Sequence, residues 1–175
     1  LQEKENALEL DPDFRARGAF PVDRPMEALT ADHALVRRLF EHYFDAGDAQ
    51  QRRDHAHHLI ALLNMHAALE EQVFYRYVYT ADPALVDRCV QEHEQARQVI
   101  AQIEATDYVD AQAEALMHRL ADLILRHIEA EETQLFAQVK LTGFDLAALG
   151  REMQTFELTM IADRTQKPIA PGLRQ

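Results

Sequence analysis

Between residues 26 and 142 the chain carries only two residues that interrupt helices, Gly47 and Pro83. The stretches between them are rich in Ala, Leu, Glu and Gln, which lose little freedom in a helix. Apolar residues recur there at three- and four-residue steps, the period of one helical face. The first helix is expected to start after Thr30 as N-cap and to reach about residue 46, with Leu29, His33, Val36, Phe40 and Tyr43 or Phe44 inward. Gly47 and Asp48 break it. The second spans about 49–79 and turns Leu59, Leu62, Leu63, His66, Leu69, Glu70 and Val73 inward. Residues 80–83 read as a turn and cap, with Pro83 at the first helical position. The third, to about residue 105, turns Val86, Val90, His93, Ala96, Ile100 and Ile103 inward. The fourth spans about 111–141 with Leu116, Leu120, Leu123, Ile124, His127, Glu131 and Leu135 inside, and Gly143 closes it.

Four long helices with short turns predict an all-α fold, an up-down-up-down four-helix bundle over residues 28–142. An irregular N-terminal arm is expected over 1–27, with a short turn near 3–10. A short C-terminal helix follows over 143–161 and an extended tail over 162–175, both from the placement of Pro and Gly.

The net charge of -12, with no basic stripe, argues against nucleic acid as a partner. No apolar stretch approaches the roughly 18 residues of a membrane span, so no membrane partner is expected. The opening ten residues are acidic and polar, unlike a secretory signal. A single cysteine, Cys89, provides no internal disulfide and suits a reducing compartment, so a cytoplasmic location is expected.

Within this helical frame a pattern of histidines and glutamates occurs twice. His33 is followed 33 residues later by His66 with Glu70, and His93 is followed 34 residues later by His127 with Glu131. The flanks repeat too: Asp32-His33 with Arg37 matches Glu92-His93 with Arg97, and Glu70-Glu71 matches Glu131-Glu132. At about 1.5 Å per residue, the expected helix ends bring all four histidines to one level of the bundle. A His and a Glu four apart share one helical face, so both pairs interrupt an apolar ladder. Burying two unpaired carboxylates close together is costly, and cations remove that cost. Two ions, each taking two histidines and bridged by the two glutamates, satisfy the set. Symmetry places His33 with His66 and His93 with His127. Mixed nitrogen and oxygen donors with open positions suit iron, with manganese or zinc as alternatives.

The stretches Ala31-Asp32-His33, His66 to Glu71, Glu92-His93 and His127 to Glu132 followed by Leu135-Phe136 resemble the hemerythrin-like (HHE cation-binding) family, over about residues 28–141. The resemblance implies a non-haem di-iron centre with metal ligands at His33, His66, Glu70, His93, His127 and Glu131. It also implies a departure. Oxygen-carrying hemerythrins have a further histidine one turn after the third-helix ligand, and Arg97 stands there. Their step from the last His to the bridging carboxylate is longer, which makes Glu132 an alternative to Glu131. This chain therefore resembles the six-ligand bacterial and iron-sensing members, with coordination positions left open. A ferritin-like centre is disfavoured, because it needs Glu-x-x-His and only Asp54-x-x-His57 comes near it.

Two functions follow as expectations. One is a binding protein that takes up O2 or senses oxygen, iron or redox state, with a small diatomic or peroxide as ligand and a homodimer as a possible assembly. The other is a di-iron redox enzyme acting on peroxide or nitric oxide, or an iron-centre repair or iron-handling protein. His55, His57 and His58 cannot share one helical face and are expected mostly at the surface, with His58 in phase with His66 as a residue that can line the pocket. Tyr75 and Cys89 are expected to pack rather than react. Arg37 and Arg97 are expected to form ion pairs, and Glu71 and Glu132 to lie outside the ligand set.

Overall fold

Proline at position 25, rather than a threonine cap at position 30, opens the first helix. The computed structural model describes residues 19–166, so the turn near 3–10 and the tail from Lys167 lie outside the described residues. The first helix, α1, is Pro25–Asp45, with Pro25 in the first turn where its missing N–H costs nothing. Thr30 is inside it, its hydroxyl donating to the Met26 carbonyl at 3.0 Å. The expected start after Thr30 is thus corrected by one and a half turns. The arm and bundle boundary moves with it.

The second rod comprises α2 (Ala49–Leu69), a π-helical turn (Glu70–Phe74) and α3 (Tyr75–Val78), ending in a 3-10 turn (Tyr79–Ala81). The third is α4 (Pro83–Glu104). The fourth comprises α5 (Ala111–Ala130), a second π-helical turn (Glu131–Leu135) and α6 (Phe136–Thr142). A fifth helix, α7 (Leu146–Gln166), runs past the expected end near residue 161. No strand occurs among the described residues.

Aspartates start four of these helices. Asp48, Asp82, Asp110 and Asp145 each accept a hydrogen bond from the backbone N–H three residues on, at 2.9, 3.1, 2.7 and 2.9 Å. Such caps satisfy one of the orphan donors of each first turn and together fix where every turn ends. Gly143 closes the fourth rod with φ 77°, the left-handed geometry glycine adopts without strain.

The inner faces follow the periodicity with one shift. Val90 is 38% exposed, whereas Cys89 beside it is fully buried. The core divides into two apolar clusters. One contains Val36, Leu63, Ile100 and Ile124; the other contains Leu69, Phe74, Leu135 and Phe136 and is covered by Leu149 and Met153 of α7. Gly150 lets α7 approach the backbone at Val22, whose carbonyl a Cβ at that position would overlap. Between the two clusters lies a layer of buried polar side chains. Among the described residues no helix is long and apolar enough to cross a membrane.

Candidate metal centre

Each of the four rods contributes one histidine to this layer. His33 comes from α1, His66 from α2, His93 from α4 and His127 from α5, and all four are buried. Their Nε2 atoms point to the centre in two pairs. His33 and His66 meet at 3.1 Å, as do His93 and His127. Glu70 and Glu131, both fully buried, open the two π-helical turns. A π turn is a wide turn that recurs at functional sites, and here each one starts at an inward carboxylate.

The two glutamates reach across both histidine pairs. Glu70 Oε1 stands 3.0 Å from His66 Nε2 and 3.9 Å from His33 Nε2, while its Oε2 stands 3.3 Å from His93 Nε2. Glu131 Oε2 stands 3.3 Å from His33 Nε2 and 3.8 Å from His127 Nε2. Two groups with converging donor atoms result: His33, His66, Glu70 and Glu131, and Glu70 with His93 and His127. All six sequence-predicted site residues are thereby brought together. Glu71 and Glu132 are not among these inward donors.

The outward Nδ1 atoms explain Glu71 and Glu132. His93 Nδ1–H donates to Glu71 and His33 Nδ1–H donates to Glu132, both at 2.9 Å. His66 Nδ1–H donates to Asp32 at 3.1 Å, and His127 Nδ1–H donates to Glu92 at 2.9 Å. These bonds join the first rod to the second, the second to the third, the third to the fourth and the fourth back to the first. Each fixes a ring orientation and leaves Nε2 facing inward. Arg37 donates to Glu132 at 3.1 Å and Arg97 to Glu71 at 2.8 Å, so both arginines hold the carboxylates that hold the histidines. Neither arginine forms the inner shell. The repeated acid before each lone histidine was the sequence signal for Asp32 and Glu92, although neither had a role assigned from spacing.

The electrostatics follow. The hydrogen bond from His93 holds the Glu71 carboxyl below the ordinary range, and that from His127 does the same for Glu92. Burial opposes ionisation of Glu70, but His66 and His93 outweigh it and hold its carboxyl well down. Burial likewise pulls His93 down, but Glu70 and Glu71 raise it to about 9. Burial pulls His66 down as well, and Glu70 with Asp32 raises it well above its usual value. Burial pushes the Tyr75 and Cys89 protons up, so both groups stay neutral.

The donor set fits metal ions on an observation of its own. Glu70 Oε1 and both oxygens of Glu131 are buried without a hydrogen-bond partner. Glu131 Oε2 lies near His33 but outside hydrogen-bond geometry. Buried carboxylate oxygens among converging imidazole nitrogens are compensated by cations.

A family model described as the hemerythrin HHE cation binding domain matches residues 24–139. The chain belongs to this hemerythrin HHE family. Its metal-binding character accords with the buried His and Glu groups. A DNA nickase from Nostoc sp. is 24% identical to this HHE chain over 115 residues, covering 65% of the chain and 33% of the nickase. The HHE chain thus spans about a third of that relative's length. No solved structure matches it.

The remaining histidines lie apart from the centre. His42 and His55 pair at a tilt with ring centroids 5.3 Å apart, His57 packs on Tyr108 at 4.5 Å, and His118 stacks on Phe44 at 4.1 Å. Among the described residues, His55, His57 and His58 join no metal-competent group. His58 does not line the cavity beside the centre, contrary to its helical phase.

Proposed function

We propose that this HHE-domain protein holds two iron ions and binds O2, or a diatomic or peroxide of like size, as a cytoplasmic binding or sensing protein. His33, His66, His93 and His127 would supply the nitrogens, and Glu70 and Glu131 the shared oxygens. When bound, an iron pair supplies reversible electron transfer and open positions for a small ligand. The carrying observation is the set of partnerless buried carboxylate oxygens among four inward imidazoles.

On the side of the layer away from the glutamates lies a cavity of about 20 Å³, walled by Val36, Leu63, Ile100, Ile124 and Ile128. Such a volume admits something the size of a water molecule, and its apolar wall favours an uncharged guest. Arg97 borders it, but is engaged by Glu71 and Glu94 at 2.8 and 3.0 Å. No carboxylate lines it.

The nickase relative raises DNA nicking as a second function. The buried centre, the small cavity and the net charge of -12 all oppose a nucleic-acid substrate. Anaerobic iron loading followed by metal analysis and optical spectra tests the proposal. Two irons per chain and a spectrum that changes reversibly with O2 are expected. A chain that folds equally well and holds no iron overturns it. Sustained peroxide or nitric oxide consumption moves the assignment to an enzyme, and nicking of supercoiled DNA moves it to a nuclease.

A further inference from the structure

The two halves of the centre match in their ligands and differ in what stands next to them. Phe136 stacks on His33 with ring centroids 6.2 Å apart and planes 7° from parallel. Tyr75 stacks on His93 at 5.7 Å and 30°. Both rings follow directly after a π-helical turn, so they occupy equivalent places. One turn before each lone histidine the halves differ again, with Leu29 in one and Cys89 in the other, both fully buried. Cys89 lies with Glu92 and His127 in one cluster. The His33–His66 pair therefore has apolar residues at these places, where the His93–His127 pair has a phenol and a thiol.

The phenol gives its hydrogen bond to Glu70. Tyr75 Oη donates to Glu70 Oε2 at 3.3 Å, and that oxygen faces His93 Nε2 at 3.3 Å. Glu70 Oε1 faces the imidazoles of His66 and His33 and takes no bond from the phenol, which also lies close to Glu131. Phe136, in the equivalent place, has no hydroxyl to give. A hydrogen bond draws on the lone-pair density that a carboxylate oxygen would otherwise offer a cation.

We propose that Tyr75 makes the two metal positions unequal, with a tight one at His33 and His66 and a labile one at His93 and His127. The inference rests on the metal-pair function proposed above. Tyr75 acts through Glu70 and is a positioning residue. Outer-shell partners of metal ligands change affinity by about 10- to 100-fold, so a separation of about tenfold is expected.

The full chain is titrated with ferrous iron under anaerobic conditions and the loaded protein is read by Mössbauer spectroscopy. The wild type should fill in two steps about tenfold apart, with two distinct iron signals. Tyr75→Phe should bring the steps and the signals together. The double variant Tyr75→Phe with Phe136→Tyr moves the hydroxyl to the other half. It should restore two steps with the His33–His66 position now the labile one, a result that a merely structural role for Tyr75 does not produce. Equal steps in the wild type, or a separation that survives Tyr75→Phe, overturn this inference alone. A chain that takes up no iron overturns the metal-pair function and this inference with it.

Discussion

Glu70 and Glu131 occupy equivalent places, yet leucine at each should act in opposite directions once metal is chelated. Both side chains are fully buried. Glu70 accepts from Tyr75 at 3.3 Å and stands 3.0 and 3.3 Å from His66 and His93, two imidazoles whose charged forms it supports. Glu131 has neither oxygen in a hydrogen bond. A buried polar group without a partner costs about 1–3 kcal/mol. Glu131→Leu removes that cost, so the chelated variant should gain about 2 kcal/mol. At roughly 2–4 °C per kcal/mol for a domain of this size, its melting temperature should rise by about 4–8 °C. Glu70→Leu strands two buried imidazolium groups, and breaking such a pair costs about 3–5 kcal/mol, so its melting temperature should fall.

Metal should close the gap between the wild type and Glu131→Leu and leave Glu70→Leu lowest. Iron at a hundredfold excess over its dissociation constant should stabilise the wild type by about 2.7 kcal/mol, and both variants should lose most of that gain. Scanning calorimetry with a chelator, then with ferrous iron, reads all six states, with far-ultraviolet circular dichroism checking that helix content holds. A chelated Glu131→Leu protein that melts at or below the wild type, with its helices intact, refutes the claim that this carboxylate is buried for the metal's sake.

Three further outcomes are expected. In the metal-free chain His93 is raised to about 9, burial opposing and Glu70 and Glu71 prevailing. It therefore stabilises the metal-free fold fully below its ordinary value near 6.5 and loses that contribution as pH rises through about 9. Metal displaces the same proton, so apparent affinity should rise with pH across this window, and titration calorimetry at pH 7 should give different heats in buffers of different ionisation enthalpy; equal heats contradict it. Glu71→Gln and Glu132→Gln should each weaken metal binding by about 10- to 100-fold while the chain still loads at high metal, whereas Glu70→Ala or Glu131→Ala should lose metal far more completely; equal losses in all four would disprove the division into inner and outer carboxylates. Gly150→Ala should destabilise the protein by about 1–3 kcal/mol by forcing α7 off the Val22 backbone, seen as a lower denaturation midpoint; an unchanged midpoint argues that α7 contributes nothing to the fold's stability.

Much of this architecture was legible because the informative residues are local. Gly47, Pro83 and the aspartate caps punctuate the chain, and the apolar steps set each inner face. The six inward residues stood out because each interrupts an otherwise apolar ladder. The start of α1 was misplaced because Thr30 and Pro25 both offer valid starts, and nothing local ranks a threonine cap against a proline in the first turn. Val90 was expected inward because it lies within one turn of His93, but the packing of neighbouring rods leaves it exposed, while Cys89 is buried as expected. Asp32 and Glu92 were seen as repeats but not as partners. Their bonds run between rods, and helical period on one rod says nothing of the azimuth of the next.

Those inter-rod bonds give the paired acids a physical meaning. Successive residues on a helix point about 100° apart, so when Glu70 faces the centre Glu71 faces the rim and the neighbouring rod. The same holds for Glu131 and Glu132. One glutamate of each pair can thus meet the metal while the other orients a histidine on the next rod, His93 or His33. Asp32 and Glu92 complete the circuit to His66 and His127. Every rod therefore supplies an inward histidine and an acid that aims its neighbour's histidine. The arrangement ties ligand geometry to the packing of all four rods, and the two apolar clusters clamp the layer from above and below. A shift of any rod would turn one imidazole and loosen the hold on the next. Metal affinity in this chain is thus a property of the closed bundle rather than of any one His-x-x-x-Glu segment, which explains why either half of the repeat alone carries so little meaning.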